Sequence, residues 1–185
     1  MADKRYRFRA AFTVIELTAV VTVLSILAVL ALPSIAGQDD LTASAAARCV
    51  VGDLLYAQSQ AIATQTNQYV VFSVASANGS WGSYSLYNNA ACATPITNPV
   101  TLGPYTQAFG EQNNSSLASV ALSGITLDSP QNIVLAFNEL GQPYVGTVGG
   151  SLTALNNTGS IQLQCGSMAV TISVEPSTGN LTVSQ

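Results

Sequence analysis

An almost unbroken apolar run from Phe12 to Leu32 constrains this chain more than any other feature. At a rise of about 1.5 Å per residue it would span roughly 30 Å as a helix, the hydrocarbon thickness of a bilayer. One carboxylate, Glu16, interrupts its start, and Pro33 stands just beyond its end. Lys4, Arg5, Arg7 and Arg9 precede it. A basic flank of this kind stays cytoplasmic and places the C-terminal part outside. The pattern predicts a basic leader at 1–11 and a transmembrane helix at 12–34. Thr13, Thr18, Thr22 and Ser25 suit such a helix, because their hydroxyls bond to preceding carbonyls or to neighbouring helices. Pro33 removes one helical hydrogen bond and predicts a kink.

A second helical stretch follows, within a segment at 35–67. Asp39 and Asp40 suit its N-terminal end. Ala47, Val51, Leu54, Leu55, Tyr56, Ile62 and neighbouring alanines form a broad stripe at helical spacing, so this half is amphipathic. At Tyr69 the period changes to two. Strands are expected at Tyr69–Val74, Trp81–Tyr87, Ser119–Leu127 and Asn132–Phe137, with Asn78-Gly79 as a turn. Residues 88–114 read as loop, and Leu140-Gly141-Gln142-Pro143 as a turn. The clearest hairpin pairs Ile161–Cys165 with Met168–Val174 across Gly166-Ser167, and Leu181 and Val183 end a last short strand. The expected fold class is α+β. A long N-terminal helix, transmembrane in its first half and amphipathic in its second, packs on an antiparallel β-sheet domain at 68–185.

Composition narrows the function. Only 8% of residues are charged and there is no His, which removes the commonest general base and metal ligand. After Arg48 there is no Lys or Arg, so phosphate neutralisation, and with it nucleic-acid binding, is not expected. Glycine-rich phosphate loops and CxxC pairs are absent, and the many Ser and Thr lack a base. No enzyme activity, cofactor or metal is expected. Asp39-Asp40 reads as a helix-start pair rather than a cation site. Trp81, Tyr84 and Tyr87 read as sheet packing rather than ligand stacking.

Cys49, Cys92 and Cys165 leave room for one disulfide if the domain is exported. Sequence does not fix the pairing. Cys92–Cys165 is favoured because both lie in the β-rich part while Cys49 reads as helical; three buried thiols are the alternative.

The junction Phe12-Thr13-Val14-Ile15-Glu16, after a basic leader and before an apolar helix broken at Pro33, resembles the signal of type IV prepilins and type II secretion pseudopilins. More loosely, Asp53–Ile62 and the C-terminal hairpin ending Glu175-Pro176-Ser177-Thr178-Gly179-Asn180 resemble the GspH/FimT group of minor pseudopilins and minor pilins. The resemblance implies cleavage by a prepilin peptidase between Ala11 and Phe12, although this family usually has Gly where Ala11 stands. It implies methylation of the new N-terminus at Phe12, and pairing of Glu16 with the Phe12 amine of a neighbouring subunit. The implied partners are other pilins or pseudopilins in a filament, the peptidase and an inner-membrane assembly platform. The implied location is the bacterial inner membrane, single-pass with a periplasmic C-terminal domain, and then a periplasmic pseudopilus or an extracellular pilus. A DNA-uptake role within this group is disfavoured by the missing basic residues. A secreted binding domain released after Ala36 is the competing reading from another class. The length of the apolar run and the position of Glu16 count against it.

Overall fold

The computed structural model describes residues 13–35, 38–75, 81–110 and 117–185. The chain divides into two compact units, Met1–Gln38 and Asp39–Gln185. The first contains helix α1, Val14–Ile35. Thr13 caps it: its Oγ1 accepts the Glu16 N–H at 3.3 Å, and its carbonyl accepts the Leu17 N–H at 3.1 Å.

The expectation of one long helix, membrane-spanning in its first half, is overturned. α1 ends at Ile35, and a separate helix α2 runs from Gln38 to Thr64. Among the described residues no helix is long and apolar enough to cross a membrane. The single-pass inner-membrane placement, with a periplasmic domain, falls with the spanning helix.

The second unit is sheet-rich. Among its described residues the strands form two antiparallel sheets. The first contains β1 (Gln68–Ser73), β2 (Ser83–Tyr87), β3 (Thr106–Ala108), β5 (Val134–Phe137), β6 (Pro143–Gly146) and β7 (Thr153–Ala154), in the order β3-β2-β1-β5-β6-β7. The second contains β4 (Val120–Thr126), β8 (Gly159–Cys165), β9 (Met168–Val174) and β10 (Leu181–Ser184), in the order β10-β9-β8-β4. The hairpin expected at the C-terminal end is β8–β9, in register from Gly159↔Val174 to Cys165↔Met168.

Alternation along the strands sorts the side chains. Val70 and Phe72 of β1, Tyr84 and Leu86 of β2, and Leu135 and Phe137 of β5 enter the main core. Tyr69, Val134 and Ala136 instead form a smaller cluster with Val71, Tyr87, Cys92 and Tyr144. Ile161, Leu163, Val170 and Ile172 bring the second sheet into the main core. The two sheets meet where β4 crosses the flanks of the β1–β2 connection. The Ala75 N–H donates to Leu122 O at 2.8 Å, and the Leu122 N–H donates to Trp81 O at 2.9 Å. Gly82 makes this approach possible: its φ is +85°, and an added Cβ would stand 2.7 Å from Leu122 Cβ and 2.8 Å from Ser73 O.

α2 joins the same core through Ala43, Ala46, Ala47, Val50, Leu54, Ala57 and Ala61. This face keeps Ala47, Leu54 and the neighbouring alanines of the expected stripe but is narrower than it. Leu55 and Ile62 are each 47% exposed, while Val51 and Tyr56 sit at the margin. The alanines explain the narrowing, since small side chains let the helix backbone come close to the sheets. A face carrying Leu55 and Ile62 would hold it farther off.

Candidate functional site

Ala11 and Phe12, the expected cleavage and methylation positions, lie outside the described residues. The junction is visible from Thr13 onward. The described part of α1 is apolar on every side, and its large side chains are uncovered: Val14, Ile15, Leu17, Val20, Val21, Val23, Leu24, Ile26 and Leu27 are all exposed. A helix that is apolar all round needs covering on all sides, unlike one with a single buried stripe. Its hydroxyls are turned inward on the backbone. Thr18 Oγ1 donates to Ile15 O at 2.9 Å, Thr22 Oγ1 to Ala19 O at 2.8 Å and Ser25 Oγ to Val21 O at 2.8 Å. These bonds remove polar groups from the helix surface and leave it more apolar than its composition suggests.

Glu16 stands in the first turn, exposed, three residues after the cap. Thr13-x-x-Glu16 is the spacing of a capping box, and a carboxylate here is favoured by the partial positive charge of the helix start. It is the sole charged side chain on the described part of α1. Pro33 lies within the span of α1, which continues to Ile35.

The expected Cys92–Cys165 disulfide is not formed, and all three cysteines are free. Cys92 belongs to the loop after β2. Its Sγ lies 3.6 Å from both Asn89 O and Ala90 O, in the smaller cluster, and burial pushes its thiol pKa up. Cys165 ends β8 in the main core, with Ser119 Oγ at 3.2 Å and Asp39 Oδ1 at 3.8 Å. The two thiols therefore sit in different side-chain clusters, which sequence distance could not show.

Asp39 thus seats the start of α2 against the end of β8. Among the described residues no group of three His, Cys, Asp or Glu side chains is arranged to hold a metal ion. Of the aromatic residues noted in sequence, Tyr84 is fully buried between Phe72 and Phe109, with ring centroids at 5.9 and 6.0 Å. Its hydroxyl donates to Asp53 Oδ2 at 2.5 Å, and the Tyr105 hydroxyl donates to Asp53 Oδ1 at 2.9 Å. Tyr56 stacks on Tyr105 at 5.3 Å. Burial, reinforced by the neighbouring Asp53 carboxylate, raises the pKa of both Tyr84 and Tyr105. Sequence reasoning missed this group, although one signal was available: Asp53 stands beside Leu54 within a largely apolar helical segment.

A second missed carboxylate, Asp128, has φ +59° after β4. It accepts the N–H groups of Asn156 and Asn157 at 2.8 and 2.9 Å and the Asn157 side-chain amide at 2.9 Å. Those hydrogen bonds, the Asn156 backbone bond foremost, lower its pKa. Neither carboxylate cluster presents a nucleophile beside a base; both fasten segments distant in sequence. Comparison with protein-family models, curated proteins and solved structures returns no match.

Proposed function

We propose that this chain is a structural subunit of the pilin and pseudopilin type, cut between Ala11 and Phe12 by a prepilin peptidase and assembled through α1 into a type IV pilus or type II secretion pseudopilus. The observation that carries the reading is the Phe12-Thr13-Val14-Ile15-Glu16 junction followed by a helix whose described apolar side chains, Val14 to Leu27, are exposed. That helix belongs to the first of the two compact units. Side-by-side packing with α1 of other subunits would cover it. Cleavage would leave a positive amine at Phe12. Glu16 of an adjacent subunit would then meet that amine, which offsets the cost of placing a carboxylate among apolar helices and sets the axial register.

The test is the mature N-terminus. Intact mass and N-terminal peptide analysis of protein from cells carrying the assembly machinery should give methylated Phe12. A start at Gly37 would establish the secreted-domain reading instead. Glu16→Ala should abolish recovery in filaments, and wild-type incorporation of that variant would remove the pairing role.

A further inference from the structure

A cleft of about 460 Å³ opens in the β-rich unit between the C-terminal end of α2 and the loop that follows β2. This volume lies within the roughly 300–1,000 Å³ of small-ligand sites. Tyr56, Gln60 and Thr64 line it from α2, Thr66 and Gln68 from the start of β1, and Asn88, Ile96 and Thr97 from the opposite loop. Two clefts of similar size carry a charge, Glu139 in one and Arg48 in the other, but none of these lining residues is charged.

The lining is an aromatic ring with neutral hydrogen-bonding groups around it. Tyr56 is backed by Tyr105, whose own hydroxyl is anchored on Asp53, so the ring is held rather than loose. Gln68 is only 5% exposed, the one buried polar or charged residue among those described. Its Nε2 donates to Thr64 Oγ1 and Thr66 Oγ1 at 3.5 and 3.4 Å, at the long end for hydrogen bonds. Thr64 Oγ1 donates to Gln60 O at 2.7 Å and lies 2.8 Å from Thr66 Oγ1, which can donate to it. Burying an amide with such long bonds costs stability that a ligand supplying shorter ones would return.

We propose that this cleft binds a neutral saccharide. Amides and hydroxyls each offer donors and acceptors, matching the paired donor and acceptor character of sugar hydroxyls. The aromatic ring matches the C–H face of a pyranose, whose slightly positive hydrogens meet the negative face of the ring. The described lining residues are uncharged and give an anionic or cationic ligand no ion pair to offset its desolvation.

Saturation-transfer difference NMR on the full chain, in a sugar-free detergent, tests this with maltotriose, cellotriose and tri-N-acetylchitotriose, and with trigalacturonate as the anionic comparison. At least one neutral trisaccharide should bind saturably, with Kd on the order of 1 mM or tighter. Tyr56→Ala and Gln60→Ala should each weaken it about tenfold; Gln60→Ala is the check should Tyr56→Ala disturb the Tyr105 stack. The proposal is overturned if no neutral trisaccharide binds, if trigalacturonate binds tighter than all of them, or if either variant with an unchanged far-UV spectrum binds as wild type does.

Discussion

Tyr84 and Tyr105 reach the same carboxylate from β2 and from the loop before β3, and Asp53 offers each of them one oxygen. A hydrogen bond to a charged partner contributes more than a neutral one, so losing either should be measurable. Tyr84→Phe keeps the buried ring and removes only the donor. It should cost about 1.5–3 kcal/mol in urea unfolding, with Tyr105→Phe costing less because its side chain is less enclosed. A change below about 0.5 kcal/mol for Tyr84→Phe would show that the bond contributes little. The same pair makes stability depend on pH at the alkaline end. Both phenols have folded pKa values raised above the ordinary 10.0, so the unfolded chain gives up these protons first. Their contribution is complete below that value and is lost as pH rises toward the folded values. Urea midpoints should therefore fall above about pH 10, and fall less steeply in Tyr84→Phe.

α2 shows how far an element can be read before its partners are known. Its helical period and its alanine-rich face are plain in sequence, but the width of the inner face is set by contact distance, and Leu55 and Ile62 fall outside it. Ala46, fully buried, should tolerate no enlargement. Ala46→Leu should lower stability by about 1–3 kcal/mol, whereas Ile62→Ala should change it by less than about 1 kcal/mol, both read by thermal or urea unfolding. Equal effects would mean that the inner face is misplaced. The β8–β9 hairpin was legible because local alternation and a glycine turn fix its register. β3, β6 and β7 were not, since they are short and their pairing is decided by distant strands. For the same reason the tyrosine–carboxylate cluster was illegible: Tyr84 and Asp53 are separated by 31 positions, and no local spacing joins them. The clamp between Asp128 and Asn156-Asn157 belongs to this scale as well. Its carboxylate is held below the ordinary 3.8, so its contribution is present above that value and lost as pH falls through the lowered folded one. Amide hydrogen exchange at Asn156 and Asn157 should quicken in Asp128→Ala near neutral pH, relative to wild type. Unchanged exchange would mean that the clamp does not order the loop.

At the scale of the whole molecule, the division at Gln38 separates what holds the β-rich unit together from what calls for a partner. The β-rich unit contains the core clusters. α1 instead exposes apolar side chains from Val14 to Leu27, and each would contribute about 1.5–3 kcal/mol if fully buried. Covering roughly five of them on a neighbouring copy would supply on the order of 10 kcal/mol, which is comparable with the roughly 4–15 kcal/mol cost of association. The balance favours assemblies that strengthen with each added neighbour over a tight isolated dimer, because every further helix covers another side of α1 at a similar cost. Two consequences can be measured. The fragment 39–185 should unfold cooperatively at the same urea midpoint as the full chain and sediment as a monomer. The full chain should sediment as larger species, and the double variant Leu17→Glu, Leu24→Glu should return it to monomer without moving the midpoint. A full chain that stays monomeric without detergent at high concentration would mean that α1 does not drive assembly. A fragment that fails to fold would mean that the first unit contributes to the core of the second.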